Sequence, residues 1–572
     1  MKTSHLPLIL LGVLTAFSTV CRADVTLPSI ISDNMVLQRG TKASVWGKAD
    51  PKEQVTVKIA GKTVTATAGE DGAWSVKIDG LKTGGPQEMT VAGKNTLTIK
   101  NVAVGEVWVA SGQSNMEFHV GGVINAGKEM EDAKFPMIRM FTVARKVADE
   151  PQGDCAGKWE ICVPETVKGF SAVGYFFARD LHQKLKVPVG VIHTSWGGTP
   201  AESWTPKAAL EADEELKQIS DRWQKSAEDF PKTKEQFEKQ HADWKEKADK
   251  DKAEGKKPSA EPRAPSPHDS SPNKPSGLFN GMIAPIVPYA IRGAIWYQGE
   301  ANSGRAIEYR KLFPTMIQSW RKAWGNDFAF GFVQLANYMA RHAEPGDSNW
   351  ALLREAQTMT LKLPKTGMAV IIDIGEERDI HPKNKQDVGH RLALWAGANV
   401  YDIEAAYSGP MFASMKIAGD KATITFKNTG GGLVAKDGPL KGFAIAGEDM
   451  KFAWAEAKIA GSQVVVRSAA VPKPVAIRYA WADNPDCNLY NKAGLPASPF
   501  RTDNWEHTMA MVVPVATPAP KPAPEKKPEP AKIEKPEEKG KPATEKVLIE
   551  QGKTPKELLE KPALDQIAPE KK

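Results

Sequence analysis

Between residues 104 and 400 the chain alternates short, almost wholly apolar runs with amphipathic segments, and this rhythm restricts the fold more than any other feature. The apolar runs are EVWVA (106–110), VGVIHT (189–194), GAIWYQ (293–298), FGFVQL (330–335) and AVIIDI (369–374). Helical patterns occupy 172–185, 308–324, 350–363 and 385–400. Strands without a polar face are buried on both sides, which requires a mostly parallel sheet covered by helices on each face. The expected class is therefore α/β. In such open sheets a site forms beyond the carboxyl ends of the strands.

The flanks obey other rules. Residues 24–103 carry short alternating strands (ASVWGKA, QVTVKIAG, KTVTATAG, AWSVKIDG) separated by Gly, Asp and Lys turns, the pattern of a small β-sandwich-like domain. Residues 403–512 return to that patterning in KATITFKN, QVVVRS and VAIRYAW and predict a second such domain. The α/β region is thus split into 104–206 and 277–402 by an insertion at 207–276, read as two charged helices and a Pro/Ser-rich return. Residues 513–572 are Pro/Lys/Glu low complexity, expected to be a disordered tail. At the other end, Lys2, the apolar run LPLILLGVLTAFSTV and a small residue at Ala23 predict a signal peptide over 1–23 and an exported, periplasmic or extracellular protein.

Composition removes some partners. The 76 basic residues are interleaved with 69 acidic ones for a net charge of +7, without a basic stripe, so nucleic acid is not an expected partner. Outside the signal no run approaches the ~20 apolar residues of a membrane span. Cys155, Cys162 and Cys487 do not have zinc-ligand spacing. Cys155 and Cys162 are close enough in sequence to bridge, but two buried thiols are the preferred reading.

Chemistry gathers where the strands end. The first strand is followed by SGQSNM with Gln113 and Ser114, the second by SWGGTPAESW with Gly197 and Gly198. The third is followed by QGEANSG with Gln298, Glu300 and Asn302, and the fifth by GEERDIHPKNK with Asp379 and His381. A serine hydroxyl needs a base within hydrogen-bond reach before it can attack a carbonyl. Of ten histidines, only His381 sits in a strand-end loop with an acid two residues before it. His193 falls inside a strand and His390 inside a helix, positions suited to packing or surface roles. The developing negative charge on an attacked carbonyl also needs donors, and the Ser114 N–H, the Gly197–Gly198 backbone and the Asn302 amide are the candidates.

The strings DNMVLQR (33–39), GQSNM (112–116), SWGGTPAESW (195–204), GAIWYQGEAN (293–302) and DIHPKNKQDVG (379–389) resemble the sialate O-acetylesterase family of SGNH-type carbohydrate esterases. The resemblance runs from about residue 24 to 505 and omits the signal, the insertion and the tail. It implies a flavodoxin-like core flanked by β domains, which removes O-acetyl groups from sialic acid or related glycans without metal or other cofactor. It further implies Ser114 as nucleophile, forming an acyl-enzyme, and His381 as base. Gly197, Gly198 and Asn302 fall in the oxyanion blocks, and Gln113, Gln298 and Glu300 lie at the substrate site. One departure concerns the third triad member. The superfamily places its acid three residues before the histidine, where this chain has Arg378; Asp379 is the nearest substitute, with Glu377 and Glu376 further back.

Two other classes use the same residues differently. A glycosidase would pair Glu300 with Glu202 or Asp373 across a glycosidic bond. A non-hydrolytic carbohydrate-binding protein would stack sugars on Trp196, Trp204 or Trp296.

Overall fold

The computed structural model describes residues 24–262, 264–265 and 268–506. The expected signal peptide and the expected tail lie outside the described residues.

The central sheet contains β1 (Thr96–Gly112), β2 (Phe135–Thr142), β3 (Trp159–Cys162), β4 (Val189–Ser195), β5 (Gly293–Tyr297), β6 (Ala329–Val333) and β7 (Thr366–Ala369). Their spatial order is β7-β6-β5-β1-β4-β2-β3, and every neighbouring pair is parallel except the β2–β3 edge. The strands expected from the apolar runs are β1, β4, β5, β6 and β7. Numbered among themselves they follow the 2-1-3-4-5 order of a flavodoxin-like sheet, in which ligands bind where the winding reverses. Here the reversal is at β1, so the carboxyl ends of β1 and β5 flank the crevice.

Two strands lacked an apolar signature. In β2 Pro136 and Arg139 break the run, and β3 is a four-residue antiparallel edge. The run AVIIDI behaves differently from expectation. Its ladder stops at Ala369, paired with Val333, where β6 ends and offers no further partner. Val370, Ile371 and Ile372 continue as buried irregular chain toward the site.

Helices α1 (Ala172–Leu185) and α5 (Lys385–Val400) pack together, as do α3 (Ala306–Trp324) and α4 (Asn349–Thr360). Two tryptophans define the faces they cover. Trp108 of β1 meets Phe177 of α1 and Trp395 of α5 edge-on. Trp296 of β5 is in register with Ser111, an odd number of residues from Trp108, so it points to the opposite face. There it packs on Phe313 and Trp320 of α3. Large aromatics thus close both layers of the core.

The insertion is one helix, α2 (Glu214–Ala253), rather than two. Pro231 lies inside it, but no Gly or Asn-Gly turn accompanies the proline, and good helix formers flank it on both sides. Asp213 caps its start by accepting the Glu215 and Leu216 N–H groups at 3.0 and 3.3 Å. Only Leu216, Ile219 and Ala248 are buried. Arg222 and Asp213 anchor the base of the helix to Glu308 and Lys311 of α3 at 2.5 and 3.0 Å. The return chain lies along the helix, with the His268 ring tilted against Trp223 at a centroid distance of 4.0 Å and the Ser259 carbonyl accepting the Trp244 indole N–H at 3.0 Å.

The flanking units attach in different ways. The first half of β1 pairs with Gly84–Ala92 and Val36–Gln38, so a single 17-residue strand runs from the N-terminal β unit into the central sheet. The C-terminal unit has two four-stranded antiparallel sheets around a separate core that includes Ile424, Phe443, Ile477 and Tyr479.

Candidate active site

The turn out of β1 decides where Ser114 stands. Gly112 has φ +142°, and a Cβ there would lie 2.1 Å from the Tyr297 carbonyl oxygen of β5. Only glycine fits so close a passage between neighbouring strands. The Gln113 N–H then donates to that same carbonyl at 3.0 Å, and the one-turn helix Ser114–Glu117 begins. Ser114 is half-buried at its first position.

His381 arrives from the loop after β7. Its Nε2 lies 2.8 Å from Ser114 Oγ, the distance at which the neutral tautomer carrying hydrogen on Nδ1 accepts a hydrogen bond from the serine hydroxyl. Burial, and secondarily the Lys385 cation, hold the imidazole below its ordinary value, which keeps it a free base. Asp379 Oδ1 accepts the His381 backbone N–H at 2.9 Å and sits 3.5 Å from Nδ1. Its side chain is 40% exposed, so this is a loose and wet partner for the imidazole. Glu376 closes the turn instead, accepting the Lys383 N–H at 3.0 Å, while Glu377 and Arg378 are exposed.

The glycine pair is divided. A Cβ on Gly197 would lie 3.2 Å from the Ser114 Cβ, so this glycine lets the second loop close over the serine. Its N–H donates to Glu117 Oε2 at 2.6 Å, and Glu117 in turn pairs with Arg145. Gly198, exposed and at φ +78°, stands in open space. Among the described residues neither its N–H nor that of Ser114 has an acceptor.

The amides of the β5 loop face inward. Gln113 Oε1 accepts the Gly299 and Ala301 N–H groups at 3.4 and 3.2 Å, tying the two strand ends together. Gln298 donates to the Thr199 carbonyl and to Asn302 Oδ1, and accepts the Tyr309 hydroxyl at 2.9 Å. Asn302 Nδ2 donates to Glu202 Oε2 at 2.8 Å, and its Oδ1 also takes the Ala201 N–H. Gln113, Gln298 and Asn302 are all buried, so they brace the loops that carry the serine.

Three residues matter here that the motifs did not single out. Asn115 donates to Glu300 Oε1 at 2.6 Å and to the Ile380 carbonyl at 2.9 Å, which ties the serine's helix to the residue before His381. Lys385, wholly buried, donates to Asn115 Oδ1 at 2.5 Å with its ammonium over the Phe118 and Tyr297 rings. That bond fixes the orientation of the Asn115 amide. Burial lowers the Lys385 ammonium to about 7 and raises the Glu300 carboxyl, whose buried Oε2 has no hydrogen-bond partner among the described residues. A sequence signal for Lys385 existed: a lysine in the first turn of a helix opposes the helix dipole. Glu117, the third residue, offered no such signal.

A second serine–histidine pair is present and differs in every respect that matters. His193 Nε2 lies 2.6 Å from Ser195 Oγ, but both are buried within β4. Burial drives His193 down to about 4, leaving it a weak base.

The geometry also bears on the rival classes. Glu202 is paired to Arg305 at 2.5 Å, and Asp373 makes two bonds to Arg391 at 2.6 and 2.9 Å. Neither carboxylate is available to act with Glu300 on a sugar. Trp204 and Trp296 are fully buried core residues, and Trp196 lies under the Arg145 guanidinium. The described cysteines, Cys155, Cys162 and Cys487, are free; burial pushes the Cys155 and Cys162 thiols up to about 12.

The family described as "Carbohydrate esterase, sialic acid-specific acetylesterase" matches residues 104–234. A sialate O-acetylesterase of Rattus norvegicus is 30% identical over 82% of this chain and 93% of its own length. That of Homo sapiens is 29% identical, over 82% and 91%. Among solved structures, a carbohydrate acetylesterase from Xanthomonas citri superposes with a TM-score of 0.72 at 37% identity, covering 84% of this chain and all of that one. The chain is a carboxylic ester hydrolase and belongs to the sialate O-acetylesterase family.

Proposed function

We propose that this esterase is exported and removes O-acetyl groups from sialic acid or related acetylated glycans through an acetyl-enzyme on Ser114. The observation that carries the reading is the 2.8 Å contact between Ser114 Oγ and a His381 ring kept neutral by its surroundings. Ser114 Oγ attacks the acetyl carbonyl as its proton passes to His381 Nε2. The imidazolium then returns that proton to the departing sugar oxygen. Water, activated by the same nitrogen, hydrolyses the acetyl-serine and releases acetate.

The Ser114 and Gly198 N–H groups are the donors left to meet the oxyanion. Asp379 steadies the imidazole through the backbone bond and the longer Nδ1 approach. Among the described residues no group of three His, Cys, Asp or Glu side chains has metal-binding geometry, and each step has a residue of this chain to perform it.

The test is acetate release from acetylated sialic acid and a panel of acetylated oligosaccharides, with and without EDTA. Release that survives chelation and disappears in Ser114→Ala supports the proposal. A serine variant that keeps more than a tenth of wild-type turnover contradicts it. The exported state is tested separately by the N-terminus of the protein recovered from its producing cell, expected at Asp24.

A further inference from the structure

We propose that the cavity between the 341–347 loop and the C-terminal β unit is a subsite for a neutral sugar residue, with Trp454 as its platform. The inference rests on the glycan-esterase reading above and assigns a second point of contact for the glycan, away from the reacting ester.

The cavity has a volume of about 370 Å3. That lies within the range of small-ligand sites, about 300–1,000 Å3. Trp454 is 45% exposed, unusual for so large an apolar ring. Its indole N–H donates to the Ala343 carbonyl at 2.7 Å, so the ring is oriented before any ligand arrives. Trp481 forms a second aromatic wall and is itself held by the Arg478 and Arg501 guanidiniums, 5.5 and 5.3 Å from its ring centroid. A rigid aromatic surface with hydrogen-bonding groups around it suits a pyranose, which has an apolar C–H face and a rim of hydroxyls.

The charges select among sugars. Glu344, Asp347 and Asp486 line the cavity together with Arg341 and His342, the last 3.5 Å from Asp483. Arg341 is paired with Asp486 at 3.2 Å, and Arg478, on the Trp481 side, is occupied by Asp347 and Asp503. A carboxylated sugar would meet these carboxylates while the cations beside them are already paired, Lys441 too being held by Asp486 at 3.1 Å, which opposes binding. Carboxylates and the Asn484 amide are good partners for neutral hydroxyls.

The cavity is joined to the reacting end of the molecule. Its loop follows the carboxyl end of β6, the same sheet edge as Ser114. The Met339 N–H donates to the Glu377 carbonyl at 3.1 Å. Asn337 takes the Gly375 N–H at 2.7 Å and donates to Asn484 at 2.9 Å. Glu377 is four residues from His381, at most about 14 Å of extended chain. The loop that lines the cavity is thus bonded to the segment that carries His381, and in this proposal the further units of a glycan with its acetylated unit at Ser114 are directed toward Trp454.

The experiment measures binding rather than turnover, so it stands apart from the esterase assay. Deacetylated xylohexaose, cellohexaose and mannohexaose, with hexagalacturonic acid, carboxylated on every unit, as the charged counterpart, are titrated into the full-length protein by calorimetry. At least one neutral oligosaccharide is expected to bind saturably, to weaken about tenfold or more in Trp454→Ala, and to remain within about threefold in Trp454→Phe. Hydrogen exchange on the wild-type protein supplies a second reading that needs no variant: that ligand should protect segments 341–347 and 481–486. Absence of saturable binding by all three neutral chains overturns the proposal. So does unchanged affinity in Trp454→Ala, protection confined to other segments, or a hexagalacturonate complex that depends on Trp454.

Discussion

The edge of the sheet around Ser114 and the long helix α2 are both rich in polar residues, yet they are built on opposite principles. At the edge the polar groups are buried and answer one another: Lys385 to Asn115, Asn115 to Glu300 and Ile380, Asn302 to Glu202. Along α2 they face water. Its ion pairs, Lys234–Glu238 at 3.9 Å and Lys250–Glu246 at 2.8 Å, are exposed on both sides and contribute little. Truncating a buried network leaves groups unsatisfied in a low-dielectric site, whereas truncating a solvated pair leaves water in its place. The same kind of substitution should therefore have very different effects in the two regions.

The largest effect is expected from Ser114→Ala, a fall in kcat on the order of 10³-fold or more with the melting temperature unchanged. Next comes Asn115→Ala, which unties the serine's helix from the His381 loop. We expect kcat to drop about 10- to 100-fold with KM for a small acetyl ester within twofold, the signature of lost alignment.

Asp379→Asn ranks below it, at about tenfold. A half-exposed carboxylate 3.5 Å from Nδ1 stabilises the imidazolium less than a buried one in direct contact. Glu377→Gln should leave kcat unchanged, since that residue is exposed and contributes its carbonyl to Met339. A reversal of these two results would place the orienting acid at Glu377. At the bottom of the scale, Lys234→Ala and Glu246→Ala in α2 should shift stability by less than about 0.5 kcal/mol in thermal melts. A large loss from either would erase the contrast between the two regions.

A pH series sharpens the comparison. The His381 base stays neutral below its ordinary value of 6.5, so kcat/KM should hold on the acid side of 6.5 before it falls. Lys385→Met removes a nearby cation, so the acid limb should move to higher pH. Stability responds in another window. Folded Lys385 titrates at about 7 against 10.5 for an ordinary lysine, so between those values the unfolded chain binds more protons and stability rises with pH. Lys385→Met should flatten that rise in chemical denaturation. Glu300, raised from 4.5, contributes the opposite slope, beginning near that pH.

What was legible in the sequence follows the same division. The five core strands were visible because a strand buried on both faces must be continuously apolar, and α1 and α5 because helical periodicity is local. β2 was hidden by Arg139, whose buried guanidinium breaks the run, and β3 by its length. The two helices expected within 207–276 are one continuous α2, because the proline between them, without a turn behind it, only interrupts the hydrogen-bond ladder. Ser114 and His381 could be named because the chemistry demands those residue types at strand ends. The amides could be placed near them but not given a direction. Whether Asn302 faces a substrate or Glu202, and whether the Gly197 N–H is free or held by Glu117, depends on partners about 100 and 80 residues away in the chain.

The most direct test of the account uses the presence of two serine–histidine pairs, Ser114–His381 and Ser195–His193. During steady turnover of an acetylated substrate, the protein is quenched in acid, digested and searched by mass spectrometry for an acetylated serine. The account predicts acetyl on the peptide that carries Ser114, and its loss in His381→Ala. Acetyl on the peptide that carries Ser195, or an acetyl-Ser114 that forms equally well without His381, would contradict it.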